Sequence, residues 1–178
     1  KAKSVLGIDA STNSIAFCKI EDGKPIFWGE IKFEGADVFE RLLDAKRKVH
    51  AIHDIIKADV IALEAAIMVK SVATGIKMAY VFGAILGELL DDSMEVKTAT
   101  PAEWQNFIGN KPFSKAQKQS VKTEFPGKTE SWYKNKIREM RKQFTMDFAA
   151  TIGVKTDNNN VGDAVGIAYY TWNKLSSH

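Results

Sequence analysis

The chain has 178 residues, 45% hydrophobic and 26% charged, with a formal net charge of +3. That size suits a single domain over residues 1–178 with a sizeable core, and the composition excludes a disordered or low-complexity chain. No run of about 18 apolar residues occurs, the apolar stretch at residues 5–8 is too short for a secretory signal, and the lone Cys18 has no partner for an internal disulfide. A soluble protein acting in the cytoplasm is therefore expected.

In chain order, residues 4–9, 15–20 and 25–33 read as three strands joined by short polar turns, the second turn (Glu21-Asp22-Gly23-Lys24) being a hairpin signal. Asp37 is placed to cap a helix whose apolar residues Val38, Leu42, Ala45, Val49, Ile52 and Ile56 follow helical spacing. Residues 60–64 form a short apolar run of the kind found in a central parallel strand. A long helix over about 69–90 carries Gly75, Ala79, Gly83 and Gly87 at four-residue steps, a stripe that permits close packing. A strand over 94–98 follows, then a helix opened by Thr100-Pro101 and running to about Phe107. Beyond it lie two helices split by Pro126-Gly127, the second spanning about 129–151 and broken at Gly153, and a last helix over about 161–175. Three antiparallel strands followed by helix–strand–helix–strand predict an α/β fold with a mixed five-stranded sheet flanked by helices, the order of the ribonuclease H-like fold.

Two of these strands end in an acid: Val5-Leu6-Gly7-Ile8 delivers Asp9, and Val60-Ile61-Ala62-Leu63 delivers Glu64. Asn160 and Asp163 stand three apart at the start of the last helix, so they share one side. Acids at the ends of buried strands call for cationic compensation, and an all-oxygen donor set suits Mg²⁺ or Mn²⁺. The charge is also uneven. Between Lys111 and Lys142 stand ten Lys or Arg against three acids, a surplus of +7, which leaves fifteen bases against nineteen acids elsewhere. Phe113, Phe125, Trp132, Tyr133 and Phe144 interleave with these bases, a combination suited to a polyanion with occasional base or sugar packing.

These motifs together resemble the RuvC-type Holliday junction resolvases, in a viral or otherwise divergent form. Leu6-Gly7-Ile8-Asp9-Ala10-Ser11 resembles the family's opening strand, and Leu63-Glu64-Ala65-Ala66-Ile67 its second-acid motif. The helix over 71–86, then Thr100-Pro101, Gly109 and Lys115-Ala116-Gln117, follow in the family's order, and Gly162-Asp163-Ala164 resembles its closing helix. There are departures. Asn160 stands where bacterial members carry Asp or His, Ile67 beside Met68 replaces an aromatic wedge, and Lys111 replaces a loop glycine.

The resemblance implies a structure-selective endonuclease that resolves four-way DNA junctions by symmetric, metal-dependent phosphodiester hydrolysis. Two Mg²⁺ or Mn²⁺ ions would activate a water and hold the leaving oxygen. Asp9 would bridge the ions, with Glu64 on one, Asp163 on the other and Asn160 adjacent through its amide oxygen. Asn160 would then be a weaker fourth ligand, the alternatives being Asp157 in its place or a disabled site; if it is a weakened ligand, an acid restored at position 160 is expected to strengthen the site. Lys115 would contact the reacting or neighbouring phosphate. Ile67, Met68 and Lys70 would meet the branch point, and Lys111, Lys118 and Lys122 the DNA backbone. A homodimer would set two sites on a two-fold substrate, with the glycine-striped helix as a dimer surface or as an internal packing face. His50 and His53 lack a third soft ligand nearby and are not expected to hold metal. Ser11 and Thr12 read as turn residues, with service to Asp9 or to a phosphate as the alternative, and Trp28 and Trp172 as core aromatics. The competing readings are a ribonuclease H or branched-DNA nuclease on the same fold, and a non-catalytic junction-binding protein. A sugar kinase or actin-like ATPase is disfavoured, since it needs two such domains.

Overall fold

The computed structural model describes residues 4–65 and 71–177. The strands are β1 (Ser4–Ala10), β2 (Ser14–Glu21), β3 (Lys24–Lys32), β4 (Val60–Glu64) and β5 (Glu95–Ala99). The helices are α1 (Val38–Ile56), α2 (Val72–Leu89), α3 (Pro101–Phe107), α4 (Lys115–Glu124), α5 (Glu130–Thr151) and α6 (Asn159–Ser176). The sheet runs β3-β2-β1-β4-β5, with β1–β2 and β2–β3 antiparallel and β1–β4 and β4–β5 parallel. This is the mixed five-stranded sheet expected from the order of elements, and it has the ribonuclease H-like arrangement.

Alternation along the strands assigns side chains to two layers. Leu6, Ile8, Ile61 and Leu63 face α1 and α2, where they meet Ala45, Val49, Ile56, Val81, Ile85 and Leu89. Val5, Val60, Ala62, Ala16, Cys18 and Ile20 face the other way, onto α6 and Trp104 of α3. Each fully buried Val, Leu or Ile contributes roughly 1.5–3 kcal/mol relative to exposure. Burial in this second layer pushes the Cys18 thiol up to about 12, which leaves it an inert packing group.

Local signals place the helix starts. Asp37 caps α1 by accepting from the amides of Phe39 and Glu40, at 2.8 and 2.9 Å. Thr100 and Glu103 form a reciprocal capping box on α3, as do Ser114 and Gln117 on α4. Strand and helix ends differ from the sequence reading by one or two residues, except that α2, expected from about residue 69, starts at Val72 after its cap Ser71. Trp172 packs against the α6-side core as expected, but Trp28 on β3 is exposed, because β3 is an edge strand whose residues alternate toward solvent.

α2 is apolar along its length yet buries only Val81, Ile85 and Leu89, docking on α1. Val72, Ile76, Ala79, Tyr80, Gly83 and Gly87 are exposed, and added methyl groups at Gly83 or Gly87 would meet nothing. Among the described residues nothing packs on this stripe at Gly83 and Gly87. By length and composition α2 is the one described helix that could cross a membrane.

The most constrained contact in the molecule is the seat of α6 on β1. A Cβ at Gly7 would lie 2.7 Å from both the Cβ and the backbone nitrogen of Ala168, and closer still to the carbonyl oxygen of Ala164. Only a hydrogen side chain at residue 7 allows this approach. We predict that Gly7→Ala destabilises the chain by about 2–3 kcal/mol, or roughly 4–12 °C in Tm, measured by thermal unfolding.

Candidate active site

The seat of α6 on β1 brings the distant acids to one face of the sheet. Residue pairing sets Glu30 of β3 opposite Ala16 of β2, and Ala16 opposite Asp9 of β1. One step beyond the Ile8–Leu63 pair, Asp9 and Glu64 lie side by side at the tips of parallel strands. Glu30, Asp9 and Glu64 thus line a transverse row on the α6 side, since their neighbours Leu6, Ile8, Ile61 and Leu63 all point to the α1–α2 layer. α6 crosses above this row and carries Asn160 and Asp163 in its first turns.

Electrostatics marks these residues off from the rest of the molecule. Burial raises the Asp9 carboxyl to about 7, helped by the negative charges of Glu64 and Glu30. Burial raises Asp163 to about 8, helped by Asp9 and Glu64 and opposed by Lys142. Glu64 is also raised by burial, partly offset by the indole of Trp104, which donates from Nε1 to its Oε2 at 2.7 Å. Trp104 is fully buried and lies flat against α6 because residue 166 is glycine; a Cβ there would meet the indole at 2.6 Å. By contrast Asp44, Asp91 and Glu130 on the surface are held down by partners Lys48, Lys57 and Lys122. No ion pair to Lys or Arg reaches Asp9, Glu64 or Asp163 among the described residues.

In kind, these donors fit a hard divalent cation: half-buried carboxyl oxygens that repel one another and form no ion pair with Lys or Arg among the described residues. In position, they are not gathered. Among the described residues no three Asp, Glu, His or Cys side chains come together closely enough to hold a metal ion. His50 and His53 turn to separate acids, Glu88 at 3.0 Å and Asp54 at 3.1 Å, and form no metal pair. Asp157 is exposed in the loop before α6. Ser11 serves its turn, its hydroxyl accepting the amides of Asn13 and Ser14 at 3.1 Å each.

Two functional neighbours escaped the sequence reading. Glu30 accepts from the Nδ2 groups of Asn158 and Asn160, the latter at 3.2 Å. Nothing in the edge-strand pattern of β3 singled it out; only the register does. Lys142 is the base whose charge Asp163 senses, and α5 packs Thr145 and Met146 against Gly162 to bring it there.

The basic segment divides by role. Arg141 holds Gln105 and Asn110 with bonds of 2.8–3.2 Å, tying α5 to the end of α3. Lys122 pairs with Glu130, and Lys128 and Lys136 cover the rings of Trp132 and Phe125 at 5.6 and 5.2 Å. Lys115 and Lys118 form no ion pair among the described residues and line, with Lys122 and Lys134, a groove of about 280 Å³ between α4 and α5 floored by Tyr133 and Ile137. Lys111 lines a separate open cleft with Phe107, Tyr170 and Lys174. Ile67, Met68 and Lys70 lie outside the described residues.

The sheet order and the site on its α6 face define a ribonuclease H-like protein. A family model described as Crossover junction endodeoxyribonuclease RuvC matches residues 5–125, more than half of the chain, and the chain belongs to that family. The match ends within α4 and its following turn, so α5, α6, Asn160 and Asp163 lie beyond it. Three-dimensional likeness extends further. A T. thermophilus RuvC in complex with a Holliday junction substrate aligns with a TM-score of 0.68 at 12% identity, covering 98% of this chain and 96% of that one. A second Thermus thermophilus RuvC structure aligns at 0.65 and 13% identity, over 97% and 96% of the two chains. The yeast mitochondrial Holliday junction resolvase Ydc2 aligns at 0.50 and 13% identity, over 98% and 82%. No curated protein matches the chain by sequence.

The raised acids have a consequence for stability. A carboxyl near 7 or 8 in the folded chain, against about 4 when unfolded, binds its proton more tightly in the fold. The stabilisation is complete below pH 4 and is lost as pH rises through 7 to 8. In EDTA, these two groups make the wild-type Tm fall by several degrees from pH 5 to pH 8, and Asp9→Asn flattens that slope.

Proposed function

We propose that this chain, as one domain over residues 1–178, is a divalent-metal-dependent endonuclease that nicks four-way DNA junctions symmetrically as a homodimer. The observation that carries this reading is the pair Asp9 and Glu64 at adjacent strand tips, with Asp163 above them, all three raised and in no ion pair with Lys or Arg among the described residues. Membership of the RuvC family supports the activity. Mg²⁺ or Mn²⁺ ions, two per site, would be held by Asp9, Glu64 and Asp163 with the amide oxygen of Asn160. Bound there, they would supply an activated water and charge relief at the leaving oxygen.

The remaining roles fall to the chain's own residues. Trp104 fixes Glu64 through its indole N–H, and the close seats at Gly7 and Gly166 fix Asp163 and Trp104 in turn. Lys142 adds positive charge beside Asp163, where the phosphate of a bound strand would bring negative charge. Lys115 and Lys118 are read as phosphate contacts, with Lys122 beside them once a phosphate draws it from Glu130, and Lys111 flanking them across the loop before α4. Ile67, Met68 and Lys70 are read as branch-point contacts. The exposed apolar stripe of α2 is the surface assigned to the homodimer, since Val72, Ile76 and Tyr80 leave it greasy and Gly83 and Gly87 leave it open. A protein of this kind acts wherever the cell keeps its DNA.

The decisive experiment is incubation of a labelled four-way junction with Mg²⁺, beside an RNA–DNA hybrid and a linear duplex. Paired nicks at symmetric positions in the junction are expected; hybrid cleavage alone would favour a ribonuclease H activity. Tight junction binding without any nicking would favour a binding protein. Asp9→Asn is expected to reduce cutting by on the order of 10³ while junction affinity stays near wild type in a gel-shift assay. Lys118→Ala should weaken binding similarly across sequences and lower the salt slope by about 1.

A further inference from the structure

Glu30 stands in the acidic row but is held unlike the other members. Both of its oxygens are engaged, Oε2 by Asn158 and Oε1 by Asn160. A carboxylate only accepts, so it dictates which end of each amide it meets. Asn158 is fixed from both sides, because its Oδ1 caps α6 by accepting the amides of Asn160 and Val161 at 2.9 and 3.3 Å. Asn160 has its NH₂ turned to Glu30, which leaves Oδ1 facing away, with one contact from Asn159 at 3.2 Å and a lone pair to spare. The helix N-terminus adds a favourable field for the same charge.

We infer that Glu30 is a positioning residue of this site: by clamping the first turn of α6 through Asn158 and Asn160, it presents the Asn160 carbonyl oxygen to the cation. The inference rests on the metal-dependent reading above. It also reverses the expectation that an acid at position 160 would strengthen the site, since a carboxylate there would face Glu30 with neither group able to donate.

Two measurements test it, at fixed pH. In EDTA, Asn160→Asp should lower Tm by several degrees, and adding Glu30→Gln should restore most of that loss, because the new amide at position 30 can donate to the introduced carboxylate and still accept from Asn158. Additive shifts in the double variant would overturn the clamp. In a Mn²⁺ titration followed by electron paramagnetic resonance, well below Tm, Glu30→Ala should weaken binding about tenfold or more. Equal Mn²⁺ affinity in wild type and Glu30→Ala would overturn the positioning role and leave the nuclease reading intact. A wild-type chain that binds no Mn²⁺ would overturn the metal reading and this inference together.

Discussion

The closeness with which α6 lies on β1 governs the rest of the molecule. With glycine at residue 7, the helix backbone rests directly on the strand, and Ala164 and Ala168 supply the small surface that meets it. The same helix accepts Trp104 at Gly166 and α5 at Gly162. Three close approaches on one helix therefore locate Asp163 over the sheet, aim the Trp104 indole at Glu64, and bring Lys142 within electrostatic reach. Loosening any of them would move a charged group, because Asp9, Glu64 and Lys142 sit on β1, β4 and α5, which pack on α6, and Asp163 sits on α6 itself.

The cost of this arrangement is electrostatic. Elsewhere the chain neutralises its acids locally, as Asp44 does with Lys48 and Asp91 with Lys57. Along the α6 face it leaves Asp9, Glu64 and Asp163 mutually repelling, and the protein responds by favouring their protonated forms. A fold stabilised by a continuous apolar core on both faces of the sheet tolerates that strain. A divalent cation would convert the repulsion into attraction, which ties the site's chemistry to its stability.

The basic segment shows how little charge counts alone reveal. Its ten bases include Arg141, which is occupied with binding Asn110 and Gln105, and Lys122, which is neutralised by Glu130. Lys128 and Lys136 lie over aromatic rings and stiffen the α4–α5 turn. The bases left for a polyanion are fewer and more localised than the sequence implied, and one of them, Lys142, belongs to the acid site itself.

By itself the sequence determined the elements and their order. Strand alternation, caps at Asp37, Thr100 and Ser114, and breaks at Pro126-Gly127 and Gly153 are local properties, written in neighbouring residues. Asp9, Glu64 and Asp163 could be singled out as candidates for the same reason, since each sits at the end of an element whose apolar pattern announces it. Tertiary structure decided what depends on register and helix seating: that Glu30 shares a row with Asp9 through Ala16, that Asn160 turns its amide to Glu30, and that α2 leaves its glycine stripe open. The Glu30–Asn160 bond joins residues 130 positions apart, and no local periodicity encodes which strand lies next to which.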